Sequence, residues 1–529
     1  MPMFSVPTIH NDPIEHAETR LAPLLSDTRP SALGVAPLLL AFALATTGCS
    51  IFLGPEDENA APTEIRLSAT SDVAPNELTS GWIGFMKGLD EARQAIENPA
   101  YFPPSPTDRN LGEGYRYLLG HLARIIESQT QQHPDFPYFQ RSIRMLSKWT
   151  IDNPDTMYLS SAIDSTGVYR VRGRALDTQA WQTGERSTSG DRAPRVVIFQ
   201  TSTATIGQTG ELAEMRECRN QTLDSLDQFD LELDDEGRFE IIVAARRPAG
   251  YDGHFLASRA EAPCATPFGT TTYRMRDATI LNVREIFSDW ANEIPVELEI
   301  TRLDMRGAPR PPRSSAEMGL HLNAIGQRVA HQVAFWNRLH EFGLELKGDR
   351  NGDGRLASPL NDLNPPAPPF IAGGTAGAGQ LYAAGTYELE DDEALVIRVE
   401  APKEPHYVGF QLANLWGESL DQANYVSSQT GSQNRVASDG ARYYVVSARD
   451  PGTPGWLSTT GLSKVMMSMR FLYDVAPPRE QMPTIKTFAM KIADVRDVLP
   501  PDTPTISPDD RRREVDVRQR HIQARWRQY

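Results

Sequence analysis

The sequence predicts a mainly β chain of α+β class. Two repeated domains of β-sandwich or jelly-roll type are joined by one long helix, with a helical cap before them and a helical tail after. Three observations predict this. The stretch "EGRFEIIVAARRPAGYDGHFL" (236–256) returns as "DGARYYVVSARDPGTPGWL" (439–457), with Gly237, Arg246 and Pro248 matching Gly440, Arg449 and Pro451 at one offset of 203. Two further blocks match in the same order: "VVIFQT" (196–201) with "YVGFQL" (407–412), and "VREIF" (283–287) with "MRFLY" (469–473). Strand-length apolar runs separated by turn residues fill both regions, and an amphipathic pattern of helical period lies between them.

The elements follow in order. Residues 1–49 read as an exported leader. No charge occurs from Pro30 to Pro55, and the apolar centre 32–45 is too short to cross a bilayer but has the length of a signal-peptide core. It runs into "ATTGC", so Cys49 resembles the lipid-modified cysteine of bacterial lipoproteins; a plain secretory signal or a buried helix is the alternative. Thr46 stands where a leucine is usual, and the segment ahead of the core carries Asp12, Glu15, Glu18 and Asp27. Residues 50–78 are an acidic tether without periodicity. The cap, 79–150, holds two helices: one with Trp82, Phe85, Met86, Leu89 and Ile96 on its apolar face, the other with Tyr115, Leu118, Leu119, Leu122, Ile125 and Ile126. The first β domain spans 151–305.

In the linking helix, 314–347, Ser314 and Glu317 form a capping-box pattern. Met318, Leu322, Ile325, Val329, Val333, Trp336 and Leu339 recur at steps of three and four. Residues 348–379 are a loop and a Pro/Gly linker, and the second β domain runs from 380 to 476. The tail, 477–529, is expected to hold helices near 484–498 and 509–527.

Composition narrows the function. The 529 residues carry 40% apolar and 23% charged side chains, within the globular range. A net charge of -16 argues against non-specific nucleic-acid binding, and the arginines at 511–513 lie among acids as a solvated helix face does. After Cys49 only Cys218 and Cys264 remain. In an exported chain such thiols pair, closing 45 intervening residues for roughly 3–4 kcal/mol; two buried free thiols are the alternative.

Residues 391–474 resemble the DUF1214 family. "DDEALVIRVEAP", "HYVGFQLANLWGESLD", "DGARYYVVSARDPGTPGWLSTTG" and "MRFLYD" carry the resemblance, with "DNPDTMY" and "YRVRG" near residue 160 matching longer members. It extends over about two-thirds of the chain. Gly455 stands before Trp456 where the family usually has Asn. The resemblance implies a β-rich protein, often found with the related DUF1254 domain, and brings no catalytic residues.

Three constellations bear on chemistry. In "GDRNGDGRLASPLND", Asp349, Asn351 and Asp353, the Arg355 carbonyl and Asp362 have calcium-loop spacing, although Leu360 stands where the usual glutamate would be. A structural Ca2+ is expected there, with a solvated turn as the alternative. The loop "NLWGESLDQANYVSSQ" offers Asn414, Trp416, Asn424 and Gln429 for polar and stacking contacts with a sugar. Glu418 and Asp421 are its acid–base candidates. The alternative there is a loop that satisfies its own backbone. Arg449 and Trp456 make either a turn-fixing pair or an anion site. The leading expectation is an envelope-anchored protein, periplasmic or on the outer membrane, that binds an extracellular saccharide or other polar polymer. A secreted hydrolase using Glu418, Asp421 and Arg449 between the two β domains is the rival, and a structural scaffold the third reading.

Overall fold

Turn chemistry and strand alternation place the elements, seen here in a computed structural model. It describes residues 76–98, 107–183, 190–215, 219–265, 271–345, 359–368 and 379–527. Helix α1 (Glu77–Glu97) is capped by Asn76, whose side chain accepts from Thr79 N at 2.8 Å. Helix α2 (Asp108–Thr130) is capped likewise by Thr107. The first β domain holds β1 (Gln140–Ile143), β2 (Thr156–Ala162), β3 (Tyr169–Arg174), a short α3 (Gln179–Thr183), β4 (Val196–Ser202), β5 (Thr222–Asp227) and β6 (Arg238–Ala244). Next come β7 (His254–Ala257), the hairpin β8 (Arg259–Ala265) and β9 (Thr271–Asp277), then β10 (Ile280–Ile286) and β11 (Glu297–Arg302). Helix α4 (Ser315–Glu345) follows, with Ser314 Oγ accepting from Glu317 N at 3.1 Å as the capping pattern required.

The second domain is β12 (Gln380–Glu388), β13 (Glu393–Glu400), β14 (Tyr407–Ala413), β15 (Ser428–Thr430), β16 (Arg442–Ser447), β17 (Trp456–Ser458), β18 (Lys464–Leu472) and β19 (Thr484–Lys491). Helix α5 (Pro508–Arg527) closes the chain, with Ser507 and Asp510 bonding each other's backbone N–H groups at its start.

The repeat is a repeat of topology. The sheets β2-β10-β4-β5 and β11-β3-β6-β7 correspond strand for strand to β12-β18-β14-β15 and β19-β13-β16-β17. In each copy the last pair of the second sheet, β6–β7 and β16–β17, is the parallel one. Register agrees as well: Phe199 faces Val283 and Phe410 faces Met469, as the matched blocks require. One side-chain pair survives in both copies, Arg284 on Gln200 at 2.6 Å and Arg470 on Gln411. Gly237 and Gly440 both take positive φ, +76° and +83°, in the turn before the third strand of their sheet. The first copy adds β1 at a sheet edge and the β8–β9 hairpin.

Each domain encloses its own apolar core between two facing sheets. One core includes Tyr169, Val171, Phe199, Phe239, Ile241 and Val283. The other includes Leu395, Ile397, Phe410, Tyr444, Met469 and Phe471. The domains then pack through the outer sides of β4 and β10 against those of β14 and β18, where Val196, Ile198, Ile286, Tyr407 and Leu472 cluster. Strands β4 and β14 are therefore buried on both sides, which explains why each reads as an unbroken run instead of alternating.

Three expectations are corrected. Residues 484–491 form strand β19, not a helix. "TIKTFAMK" pairs along the whole of β13, which would otherwise be an open edge, and a 3-10 helix (Ile492–Val498) follows it. The second β domain therefore extends past 476 to Lys491. The cap helices also bury only part of the faces read off the sequence: Phe85, Leu89 and Ile96 of α1 and Leu118, Leu122 and Ile125 of α2 pack into the helical layer as expected, and the rest turn outward. Trp82 and Met86 of α1 are about half exposed, while Gly81 and Gly88 are buried against Gly319 and Gly326 of α4. A Cβ at Gly81 would lie 2.1 Å from the Gly319 carbonyl oxygen, so α1 and α4 meet backbone to backbone. Helix α2 turns Tyr115, Leu119 and Ile126 outward and buries Gly114, Tyr117, Leu118 and His121. The long helix accordingly does more than link: it is the centre of a helical layer with α1 and α2. No helix among the described residues is long and apolar enough to cross a membrane.

Candidate functional site

The loop after β14 is shaped by its own polar groups. Asn414 Oδ1 accepts from the backbone N–H of Trp416 (3.1 Å) and Glu418 (3.0 Å), tightening a turn in which Gly417 has φ +72°. Only glycine fits at 417: a Cβ would lie 2.2 Å from the His340 ring of α4. The turn drives Trp416 inward. Its ring is 1% exposed and stacks on Tyr117 at 5.8 Å, and Nε1 donates to the Asn110 carbonyl at 2.8 Å. Trp416 is thus a core residue between the loop and α2, which corrects its expected role as a platform for a sugar ring.

Glu418 follows it inward and is fully buried. Its Oε2 accepts from Arg116 Nη2 at 2.6 Å and from Asn414 Nδ2 at 2.9 Å, while Oε1 has no hydrogen-bond partner among the described residues. The arginine favours the carboxylate, but burial outweighs it and pushes the Glu418 carboxyl up to about 7. Arg116 keeps 41% of its side chain exposed and so stands between Glu418 and solvent. Lys148 is buried beside the loop and gives its protons to the carbonyls of Ser419 (2.8 Å) and Leu420 (3.0 Å) and to Gln422.

Behind Glu418 lies a buried set of aromatic and polar side chains from α2, α4 and the segment before β2. Tyr117 meets His121 edge-on at 4.4 Å, His121 lies 6.1 Å from Trp149, Trp149 lies 5.3 Å from Trp336, and Trp336 lies 6.1 Å from His340. Arg124 covers Trp149 at 4.1 Å and donates to His121 Nδ1 at 2.8 Å, which leaves the ring proton on Nε2. Tyr117 OH, His121 Nε2 and Trp149 Nε1 lack hydrogen-bond partners among the described residues. Burial holds His121 far below the usual histidine range and His340 at about 4, so both rings are neutral at pH 7. The cluster therefore presents three neutral donors and one acceptor that titrates near neutrality.

The backbone beside it is strained. Thr150 and Ile151 are consecutive β-branched residues at φ +63° and +52°, each costing about 1–3 kcal/mol. They are held because Ile151 N donates to the Gly417 carbonyl at 2.7 Å and Arg470 bonds the Ile151 carbonyl at 2.5 Å. Asp152, next in sequence, accepts from Ser419 N and Oγ.

The other expected site residues do not join Glu418. Asp421 Oδ1 accepts from Ala423 N and Asn424 N, and its Oδ2 accepts from Asn424 Nδ2, so it serves its own turn and Asn424 with it. Gln429 is buried and donates to Glu514 of α5 at 2.7 Å. Arg449 is exposed. The neighbouring Asp450 pairs not with it but with Arg511 of α5 at 2.9 Å. Arg511 also covers the Trp456 ring at 4.9 Å. Trp456 thus belongs to the docking of α5 and Arg449 lies exposed in the turn beside Asp450, whereas Glu418 belongs to the helical layer. The carboxylate pair plus arginine expected of a hydrolase is not assembled.

Asp349, Asn351, Asp353 and Arg355 lie outside the described residues, as do Cys49, Cys218 and the side chain of Cys264. Asp362 is described, and its Oδ1 accepts from Leu363 N and Thr487 Oγ1. Among the described residues no three His, Cys, Asp or Glu side chains gather as a metal would need.

Comparisons with known proteins add the fold alone. No protein-family model and no curated protein matches the chain. A crystal structure of an uncharacterised protein from Burkholderia cenocepacia is similar, with TM-score 0.61 and 24% identity, covering 79% of this chain and 99% of that one. A structure from Vibrio parahaemolyticus aligns over 76% of this chain and 100% of its own at TM-score 0.36 and 13% identity.

Proposed function

We propose that the protein is an exported, membrane-tethered binding protein of the DUF1214 type, held by a lipid on Cys49. Its ligand is a small polyhydroxylated molecule such as a mono- or disaccharide, taken at Glu418. One observation carries the reading: Glu418 is fully buried with one carboxyl oxygen unpartnered among the described residues, it acts electrostatically on Tyr117, and Tyr117, His121 and Trp149 form a ring-contact chain whose donors are likewise unpartnered there. Buried polar groups left without partners call for an explanation, and a bound hydroxylated molecule would supply their partners. A carboxyl that titrates near 7, able to donate when protonated and accept when ionised, together with phenol, imidazole and indole donors, matches hydroxyl groups, each of which both donates and accepts. A long polymer suits the arrangement less well, because Trp416 and Glu418 are both buried.

The test is a thermal-shift screen of neutral mono- and disaccharides on the full chain and on Glu418→Gln. At least one sugar should raise the wild-type midpoint by several degrees and leave the variant within a degree of its ligand-free value. No shift with any sugar, or equal shifts in both proteins, contradicts the reading. A second reading, in which Glu418 is a general acid, draws on its carboxyl lying near 7. Turnover of the sugar that shifts the midpoint, lost in Glu418→Gln, would favour it.

A further inference from the structure

Helix α1 leaves apolar side chains uncovered. Leu78, Trp82 and Met86 follow one another at four-residue steps and are 39%, 53% and 46% exposed; Ile83 beside them is 57% exposed. Leu320 of α4, 73% exposed, follows Gly319, which backs onto Gly81. The first turns of α1 and α4 therefore share one apolar end. Beyond Glu77 the charged residues of α1 begin at Lys87, which pairs with Glu91, and continue where Asp90 binds Arg93 and Arg93 binds Glu97. Packing explains why these residues face out: the glycines of α1 occupy the contact with α4 in their place.

We infer that this end of the helical layer rests in the interfacial region of a lipid bilayer. The inference rests on the reading that Cys49 carries the anchor. Only 27 residues separate Cys49 from Glu77, so the first turn of α1 stays within ~95 Å of the membrane even on a fully extended chain. No other described element follows the anchor so closely. The side chains suit the occupant: one tryptophan with leucine, isoleucine and methionine is the mixture that inserts at head-group depth. Seating α1 in this way would hold the body against the membrane.

The test uses the full-length mature protein in vesicles of phosphatidylethanolamine and phosphatidylglycerol with brominated acyl chains. Of the eight tryptophans, Trp149, Trp181, Trp290, Trp336 and Trp416 are buried. Brominated lipid should quench the emission, and Trp82→Phe should remove at least half of that quenching. Ile83→Glu with Met86→Glu, both at exposed positions, should remove it too while circular dichroism and the melting midpoint stay unchanged. Equal quenching in wild type and Trp82→Phe overturns the inference. So does unquenched protein that sediments as a dimer and becomes monomeric with Ile83→Glu, which would make a second copy the occupant. Mass spectrometry of the N-terminus separates the two claims. An unmodified Cys49 with Trp82 still quenched removes the anchor and keeps the surface; a lipidated Cys49 with Trp82 unquenched does the reverse.

Discussion

Trp416→Ala is expected to lower the free energy of unfolding by about 4 kcal/mol. The ring is almost wholly buried, stacks on Tyr117 and donates to the Asn110 carbonyl. Truncation removes the burial, opens a cavity among Tyr117, Ile96 and the backbone of Gly114, and leaves that carbonyl without its indole donor. A surface platform for a sugar would behave otherwise, since truncating an exposed ring costs within about 0.5 kcal/mol. Trp416→Phe, which keeps most of the volume and loses the donor, should fall between. Denaturant midpoints at constant slope distinguish the cases, and a loss under 1 kcal/mol would return Trp416 to the surface.

The second large effect concerns the C-terminal helix. Arg525 of α5 is 2% exposed, lies 4.4 Å over Phe287 and 4.6 Å over Trp290, and donates to the Pro154 carbonyl at 2.8 Å. Burial pulls its guanidinium down to about 9, so the charge is held at a real desolvation cost. The favourable electrostatic partner is Asp155, also buried, whose carboxylate accepts from Tyr407 of the second domain at 2.6 Å. Arg525→Ala removes both the packing over two rings and the charge facing Asp155, and should cost about 3–5 kcal/mol. Arg525→Met keeps the packing without the charge and should cost less than half as much. Equal losses would mean that charge, not packing, seats α5. Protease sensitivity of α5 offers a second readout.

Much of the architecture was legible because β-domains announce themselves by periodicity and turns. Gly237 and Gly440 were readable as a pair because both turns demand positive φ, and Phe199 and Phe410 because both face a core. Helix α4 was readable from its period and from Ser314. Strand β19 was missed because "TIKTFAMK" buries little more than Ile485, so its pairing is dictated by the open edge of β13 and not by its own pattern. The faces of α1 and α2 were read only in part, because glycines invert the usual rule that large residues mark the contact. Apolar periodicity found Ile96, Leu118 and Ile125, yet the closest contacts of α1 with α4 are made by its glycines, and α2 also buries Gly114, Tyr117 and His121. That same inversion hid the candidate site. Glu418 and Asn414 were singled out from their loop, but Tyr117, His121, Trp149 and His340 come from three other segments and share no spacing that a sequence displays.

Glu418 is a buried carboxyl that burial raises to about 7, so that it titrates near neutrality. Infrared difference titration reads this directly, through a protonated carboxyl band absent from Glu418→Gln. Below about pH 4.5 both the folded and the unfolded chain are protonated at this residue. Between there and pH 7 only the folded chain is, so its contribution to stability is lost as the pH rises through about 7. The predicted result is a band that titrates with a midpoint near 7. A midpoint near 4.5, as for a solvated glutamate, would contradict the account.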